Sequence, residues 1–317
     1  MCKFMKKLIS IIIPMYNEEE SLPYLYDRLT KMADRIENYN MEFLFVNDGS
    51  KDNSLNIVKS YKKNDERVCY LNLSRNFGKE IAMAAALDYV RGDVVAIIDA
   101  DLQDPPELII DMLKYYEQGY DDVYAKRRSR KGETILKKFT SHTFYRVLRS
   151  VSRVPIQEDT GDFRLLSRRA VEALKEFSEK QRYTKGMFSL IGFKKKAIEF
   201  DRDPRIAGTT KWNYFKLFDL AIEGITSFTV APLRIATILG GVSAIGALIY
   251  MVFIFLKTII NGVDVPGYAS LICIILLLGG IQLISLGIIG EYLGRIFIEV
   301  KNRPLYFIDE YSESKYE

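Results

Sequence analysis

The chain has 317 residues, of which 48% are hydrophobic and 27% charged, and its formal net charge is only +4. This length and composition support one sizeable buried core with apolar sequence to spare, and the small net charge argues against a dedicated nucleic-acid-binding protein. The 3 cysteines are odd in number and unclustered, which fits a reducing cytosolic compartment without structural zinc.

The first 125 or so residues alternate short apolar runs with helical patterns. Strands are predicted at 8–13, 42–46, 68–73 and 94–98, and helices from Ser21 to about Asn38, from near Asp52, and over 79–90. The N-terminal segment is basic and then apolar, but its apolar run is short and ends at Pro14 without a cleavage site, so it predicts a strand and not a signal peptide. Apolar strands separated by helices predict an α/β domain with a parallel sheet.

Each predicted strand is followed by a polar loop: PMYNEEE, VNDGSKD, LSRNFGKE and DADLQDPPE. Ligands of open α/β sheets bind at the carboxyl ends of the strands, so these four loops are expected to form one rim. The chain has neither a GxGxxG turn after its first strand nor a GxxxxGK[ST] motif, which argues against dinucleotide and P-loop sites.

The fourth loop carries a candidate metal site. In extended geometry, Asp99, Asp101 and Gln103 share one face because side chains two residues apart point the same way. Carboxylate and amide oxygens suit Mg²⁺ or Mn²⁺, usually completed by water and substrate phosphates, and such an ion would neutralise a diphosphate leaving group. Asp-x-Asp also occurs in ordinary turns, so the position after a buried strand carries the prediction.

The middle of the chain is basic, at 126–153 and again at 194–196. Such patches suit phosphates or anionic lipid headgroups, or form a solvated helix face. Two stretches that mix charged or aromatic with apolar residues, 134–154 and 212–228, fit either an interfacial helix or a core-packed helix.

Two uncharged apolar runs, 235–256 and 268–290, follow. Each is long enough to cross a hydrocarbon core of about 30 Å, whereas two buried core helices of this kind in succession would be unusual. Basic residues flank the pair on both outer sides, so the positive-inside rule places both flanks and both termini in the cytoplasm and the connecting loop outside. The tail after Arg303 is expected to be loosely ordered.

Five motifs together resemble glycosyltransferase family 2, in particular its polyprenyl-phosphate branch of bactoprenol glucosyltransferases and relatives of dolichol-phosphate mannose synthase. They are P-M-Y-N-E (14–18), V-N-D-G-S (46–50), S-R-N-F-G-K-E (74–80), D-A-D-L-Q-D-P-P-E (99–107) and R-I-A-G-T-T-K-W (205–212). The resemblance spans about residues 8–215, and the paired apolar segments fit the bactoprenol-type subgroup.

The resemblance implies a GT-A (Rossmann-like) nucleotide-sugar-binding domain and assigns roles residue by residue. Pro14, Tyr16, Glu18, Asp48 and Asp99 would bind the nucleotide-sugar, and Asp101 and Gln103, assisted by Asp99, would hold Mg²⁺ or Mn²⁺. Arg127 and Asp162 would act on the acceptor side, and Arg205 and Lys211 would lie on a mobile loop that closes over the diphosphate and the lipid phosphate. A turn residue that caps a following helix is the alternative role for Asp162.

Acceptor chemistry refines the role of Asp162. A phosphomonoester has a second pKa near 6, so its attacking oxygen is already largely anionic at cytosolic pH. Bringing that oxygen to a diphosphate sugar requires positive charge more than a general base. We therefore expect Asp162 to orient groups, and the loss of Arg127, Arg205 or Lys211 to be more damaging.

The predicted organisation is a cytoplasmic GT-A catalytic domain (1–210), an interfacial helix or linker (211–232), two transmembrane helices (233–295) and a cytoplasmic tail (296–317). The predicted reaction is an inverting, metal-dependent transfer of a hexose, with glucose from UDP-glucose as first choice, to a polyprenyl (undecaprenyl) phosphate at the cytoplasmic face of the cell membrane. UDP-GlcNAc, UDP-galactose, GDP-mannose and an amino-arabinose donor remain alternatives, and a processive polysaccharide synthase or a non-catalytic scaffold is less favoured. Glycines at 279, 280, 287, 290 and 294 would allow close packing of the membrane helices, and through it homo-oligomers.

Overall fold

The computed structural model describes residues 6–128, 160–180, 182–201, 229–261 and 267–316. Within them the chain forms two units. The first takes in the described residues up to 201 together with 303–316, and the second takes in 229–302.

A mixed β-sheet organises the first unit. Its strands are β1 (Lys7–Met15), β2 (Tyr39–Asn47), β3 (Val68–Leu73), β4 (Val94–Ile97), β5 (Asp122–Arg127), β6 (Thr160–Ser167), β7 (Lys195–Phe200) and β8 (Ile308–Ser312). In the described residues their order across the sheet is β7-β5-β6-β4-β1-β2-β3-β8. Strands β1 to β4 pair in parallel, whereas β6 runs antiparallel to both β4 and β5, and β8 antiparallel to β3.

Helices cover the sheet. They are α1 (Leu22–Ala33), α2 (Ser54–Asn64), α3 (Lys79–Tyr89), α4 (Leu108–Glu117), α5 (Arg168–Lys175) and α6 (Thr184–Leu190). Alternating residues of a strand face opposite sides, so Ile11 belongs to one buried cluster with Leu25 of α1, and Ile12 to a second with Met83 of α3. Burial on both faces explains why the strand sequences are continuously apolar. The predicted α/β architecture is confirmed, and the four predicted strands are parallel, but β6 and β8 make the whole sheet mixed.

The segment after Arg303 corrects one expectation. It is not a loose tail: β8 pairs along the edge of β3, so the chain returns to the sheet after the second apolar helix. Side chains reinforce this pairing, because the Tyr70 hydroxyl donates to Glu310 at 2.5 Å and the Ser314 hydroxyl to the buried Glu42 at 2.6 Å. The strand sequence IDEYS is short and polar, which suits an exposed edge strand but gives no apolar pattern to predict it.

Two long helices form the second unit: α7 (Ala231–Asn261) and α8 (Tyr268–Lys301). The spans Ala231–Ile260 and Cys273–Lys301 have mean hydropathies of 2.3 and 2.4 and are long and apolar enough to cross a membrane. Large apolar side chains on them are exposed, for example Ile249 at 64% and Phe255 at 64%. Such a surface is unfavourable in water and suits a lipid environment, so the predicted helical hairpin is confirmed.

The two proposed interfacial stretches, 134–154 and 212–228, lie outside the described residues, and so does most of the predicted linker 211–232. The roles proposed for these segments stay predictions.

Candidate active site

A cavity of about 330 Å³ lies at the carboxyl ends of the parallel strands. All five predicted nucleotide-sugar residues line it, together with Asp101 of the predicted metal site: Pro14, Tyr16, Glu18, Asp48 and Asp99. Asn76, Gly78 and Lys79 from the third polar loop and the start of α3 complete the same wall. The rim that the sequence predicts is therefore one continuous cavity. A larger and more open depression lies at the amino-terminal ends of the parallel strands, near Lys7 and Arg168. It contains none of the predicted site residues.

The first two rim loops are bound to each other by a hydrogen bond in which the Asn17 N–H donates to the Ser50 hydroxyl at 3.0 Å. Asn17 adopts a left-handed backbone (φ 56°), which turns the loop after β1 toward the loop after β2. The backbone N–H of Glu18 then donates to the Ser54 hydroxyl at 2.9 Å, and the Ser21 hydroxyl donates to the Glu18 carboxylate at 2.8 Å. These contacts fix the Glu18 side chain at the cavity wall.

Asp48 joins the second and third loops. Its carboxylate is buried and accepts the backbone N–H groups of Phe77 at 2.7 Å and Gly78 at 2.9 Å. Burial raises the pKa of Asp48, although those two hydrogen bonds oppose the shift. Asp48 thus organises the loop before α3 in addition to lining the cavity, a role that the sequence analysis did not assign.

Gly49 allows the same two loops to approach closely. Its φ is +66°, and a Cβ atom there would lie 2.5 Å from the carbonyl carbon of Arg75. Only glycine fits such a backbone at this distance. The glycine in VNDGS therefore serves the contact between loops.

The acidic loop after β4 does not have the extended geometry assumed from its spacing. β4 ends at Ile97, and the chain then turns, with Leu102 at φ 60° and the Gln103 N–H donating to the Asp101 carboxylate at 3.2 Å. The premise that Asp99, Asp101 and Gln103 share one strand face is wrong, because the strand has already ended. Asp99 and Asp101 both line the cavity, whereas Gln103 does not.

Asp162 reaches the same site from a distant part of the sequence. Ile97, the last residue of β4, pairs with Arg164 of the antiparallel β6, so Asp162 lies just beyond the end of β4, where the chain continues to Asp99. The Lys79 ammonium lies between them, 2.6 Å from an oxygen of Asp99 and 2.5 Å from an oxygen of Asp162. Asp162 lies on a strand and is not the cap of a following helix, since α5 is capped by Ser167.

The charges of this trio stabilise one another. Burial alone would lower the pKa of Lys79, but the charges of Asp99 and Asp162 and their hydrogen bonds raise it well above its usual value. Burial would raise the pKa of Asp162, but Lys79 and Lys185 hold it below its usual range. Lys79 and Asp162 are thus both ionised at neutral pH.

Arg127 ends β5 beside the same corner of the site. A Cβ atom on Gly161, the neighbour of Asp162, would lie 3.6 Å from the Arg127 guanidinium. Arg127 does not line the cavity described above, and its buried Nε has no hydrogen-bond partner in the part of the chain that the structure describes. Arg205 and Lys211, the other two predicted acceptor-side cations, lie outside the described residues.

Lys79 and its neighbour Glu80 are site residues that were not predicted from the sequence. Glu80 accepts hydrogen bonds from the backbone N–H of Thr184, at 3.0 Å, and from its hydroxyl. A signal for Lys79 was present: a lysine in the first turn of a helix opposes the helix dipole, and a locally unfavourable residue on a ligand-binding rim points to a functional role.

The donor set of the site suits a divalent cation, although the described residues do not gather three His, Cys, Asp or Glu side chains around one point. Mg²⁺ is commonly held by one or two carboxylates together with substrate phosphates, and Asp99 and Asp101 supply two carboxylates in one cavity. Within the described residues, the buried Asp162 Oδ1 has no hydrogen-bond partner, so this carboxylate has one oxygen unpaired beside Lys79. The oxygen ligands fit the predicted Mg²⁺ or Mn²⁺.

Sequence comparison identifies the family. Residues 10–175, more than half of the chain, match the family described as Glycosyl transferase family 2. The chain belongs to this family. Residues 231–296 of this glycosyltransferase match a second family, described as GtrB C-terminal hairpin. The predicted family and the predicted enzyme class are confirmed.

Relatives of this glycosyltransferase match it over nearly their full length. An uncharacterized glycosyltransferase of Synechocystis is 50% identical over 95% of both chains. The prophage bactoprenol glucosyl transferase homolog of Escherichia coli is 45% identical over 95% of this chain and 98% of its own. The bactoprenol glucosyl transferase of Shigella phage SfII is 43% identical over 95% and 97%.

One solved structure supports the GT-A-like fold of the sheet unit. It is glucosyl-3-phosphoglycerate synthase from Mycobacterium tuberculosis in complex with Mn²⁺, uridine-diphosphate and phosphoglyceric acid, with a TM-score of 0.50. The match covers 69% of this chain and 76% of the other at 16% identity. At that identity the likeness concerns the fold alone.

Proposed function

We propose that this glycosyltransferase transfers glucose from UDP-glucose, with inversion and with a divalent metal, to a polyprenyl phosphate (undecaprenyl phosphate) at the cytoplasmic face of the cell membrane. The product is a lipid-linked sugar for modification of a cell-envelope glycan. The observation that carries the proposal is one cavity, bordered by Glu18, Asp48, Asp99 and Asp101, in a chain 43% to 45% identical to proteins named for bactoprenol glucosyl transfer.

On the donor side, the cavity supports binding of a nucleotide-sugar. Tyr16 is 39% exposed at its wall, which leaves an aromatic ring available to a base or ribose. Asp99 and Asp101, which both line the cavity, would hold Mg²⁺ or Mn²⁺, whereas Gln103 is not part of the cavity lining and its part in the metal site stays a prediction. When bound, the ion stabilises the negative charge that develops on the diphosphate leaving group.

On the acceptor side, the chemistry calls for positive charge. The phosphate of a polyprenyl phosphate is largely a dianion at neutral pH and must approach a second anionic group. Arg127 lies at the corner next to Asp162, and we assign Arg127, Arg205 and Lys211 to the acceptor phosphate. Asp162, already paired with Lys79, orients the groups around it.

The helical hairpin would bring the catalytic unit to its lipid acceptor. Both ends of the hairpin continue into the β-sheet unit in sequence, and β8 ties the returning end to that unit. The basic flanks of the two apolar segments favour a cytoplasmic location of the sheet unit and of both termini. The glycines of α8 would permit packing between copies of the chain, a further part of this proposal.

The test is a transfer assay with radiolabelled UDP-glucose, undecaprenyl phosphate and Mn²⁺ or Mg²⁺, using the full chain in detergent or liposomes. Label is expected in a chloroform-soluble glycolipid, to be lost with EDTA and in Asp101→Ala. Inversion predicts a β-linked glucose, which a β-glucosidase releases. Label in an insoluble polymer would instead support a processive synthase. Absence of transfer from UDP-glucose and from each of the other candidate donors would support a non-catalytic role.

The donor is tested separately. UDP-glucose, UDP-GlcNAc, UDP-galactose, GDP-mannose and an amino-arabinose nucleotide are compared by thermal stabilisation of the protein with Mn²⁺. A ligand that binds only the folded state raises the melting temperature, and at equal ligand concentration the tighter ligand raises it more, with the logarithm of the ratio of concentration to Kd. The largest shift is expected with UDP-glucose, and a larger shift with another donor would reassign the sugar without changing the reaction class.

A further inference from the structure

Lys79 is the positive group at the centre of the site. Its ammonium contacts Asp99, which belongs to the donor-side loop, and Asp162, which comes from the antiparallel strand β6. Its side chain is 42% exposed and lines the same cavity as Tyr16 and Asp48. The ammonium is thus held by two carboxylates, while part of the side chain is exposed in the cavity.

We propose that Lys79 is a positioning residue that makes metal binding depend on the donor diphosphate. It pairs with Asp99 and Asp162 before the metal binds, and it leaves Asp99 for the diphosphate when metal and donor bind together. This inference rests on the proposed function, because it takes Asp99 as part of the metal site and a diphosphate as the neighbouring ligand.

Lys79 would oppose binding of the metal in the absence of a nucleotide. A divalent cation that approaches Asp99 meets an ammonium 2.6 Å from the carboxylate oxygen that it requires. Like charges at such distances repel strongly at the low effective dielectric of a partly buried site. Metal without nucleotide should therefore bind weakly.

The donor diphosphate would change the position of Lys79. Its negative charges offer the displaced ammonium a new partner in the same cavity, so binding of the diphosphate removes the obstacle to the metal. The coupling is reciprocal, because two ligands that share an energetic link must strengthen each other equally. The position of Lys79 at the first residue of α3, where a cation is unfavourable, is consistent with a role that outweighs local stability.

The experiment measures Mn²⁺ binding directly, by electron paramagnetic resonance of free Mn²⁺ during titration of the full-length protein, with and without UDP. Wild type, Lys79→Met and Lys79→Arg are compared, with Lys63→Met on the exposed face of α2 as a matched control. Asp101→Asn reports loss of the metal site itself. Thermal unfolding of each variant verifies that it is folded, and Lys79→Gln replaces Lys79→Met if the latter is not.

We expect UDP to tighten Mn²⁺ binding by about tenfold or more in the wild type, within the usual range of coupling between ligands. Lys79→Met should bind Mn²⁺ alone about tenfold more tightly than the wild type and should lose most of the UDP effect, whereas Lys79→Arg and Lys63→Met should retain it. A Lys79→Met protein that binds Mn²⁺ alone no more tightly than the wild type would overturn the inference and leave the proposed function standing. A wild type that binds no Mn²⁺ even with UDP would overturn both.

Discussion

Asp162 is 7% exposed and shares the Lys79 ammonium with Asp99, so its charge is already balanced within the site. Because the acceptor phosphate needs no general base, Asp162→Asn should keep the shape of the site and lose about tenfold or less in kcat. Arg127→Met removes a cation from the acceptor side and should cost about 100-fold or more, the scale seen when one preorganised charge-stabilising donor is removed. Initial rates of glycolipid formation, with UDP binding as a control, measure both. The ordering fails if Asp162→Asn is as inactive as Asp101→Ala while it still binds both substrates.

Glu80 provides a prediction about pH. Burial and the nearby charge of Asp162 raise the pKa of Glu80 from 4.5 to about 7, while the Thr184 N–H opposes the shift. Between these values the folded state binds more protons than the unfolded state, so stability falls as the pH rises from about 4.5 to 7 and is level above that range.

Glu80→Gln cannot ionise, and its amide oxygen can still accept from Thr184. Relative to this variant, the wild type should lose about 1–2 kcal/mol of stability between pH 5 and pH 8, a figure reduced from the full linkage value because the side chain is partly exposed. Denaturant unfolding at a series of pH values measures it, with the exposed Glu20→Gln as control. Parallel pH profiles for wild type and Glu80→Gln would contradict the raised pKa.

The residues of the cavity show which parts of the site can be predicted from the sequence. The rim residues Tyr16, Asp48 and Asp101 were predictable, because each follows an apolar strand and parallel strands end at a common edge. The proximity of Asp99 to Asp162 was not predictable, because it depends on the position of β6 beside β4 and antiparallel to it. No local sequence pattern specifies that register. The turn at Leu102 was likewise hidden, since the Asp-x-Asp spacing is compatible with both strand and turn.

At the scale of elements, β8 connects the end of the hairpin to the catalytic sheet. It covers the edge of β3, and its Glu310 contacts both Lys59 and Tyr70 of the neighbouring elements. A chain truncated after Arg303 would expose the β3 edge and leave Glu42 without the Ser314 hydroxyl.

Truncation after Arg303 should therefore lower the melting temperature of the detergent-extracted protein by several degrees and make it more prone to aggregation. Truncation after Ser314, which keeps β8 and the contact with Glu42, should have little effect. Differential scanning fluorimetry and size-exclusion chromatography of the two truncations and the full chain provide the comparison. Equal stability of the two truncated chains would show that β8 adds nothing to the sheet unit.

At the scale of the whole molecule, the remaining question is which side of the membrane each part occupies. A polyprenyl phosphate receives its sugar from a cytosolic nucleotide-sugar, so the proposed function requires the β-sheet unit in the cytoplasm and the loop between α7 and α8 outside. The basic residues Lys211, Arg234, Arg303 and others on the outer flanks favour the same orientation.

Cysteine labelling tests this orientation. In a background with Cys2, Cys69 and Cys273 replaced, Val263→Cys places a thiol in the loop between the apolar segments and Lys63→Cys places one on the exposed face of α2. A membrane-impermeant maleimide applied to intact cells, or to spheroplasts where an outer membrane is present, should label Val263→Cys directly and Lys63→Cys only after the membrane is permeabilised. Lys63→Cys that is labelled in sealed cells would place the catalytic cavity on the side without nucleotide-sugar, and the proposed reaction could then not occur as described. Labelling of neither position before permeabilisation would mean that the hairpin does not cross the membrane, because only a span can separate two sites on one chain.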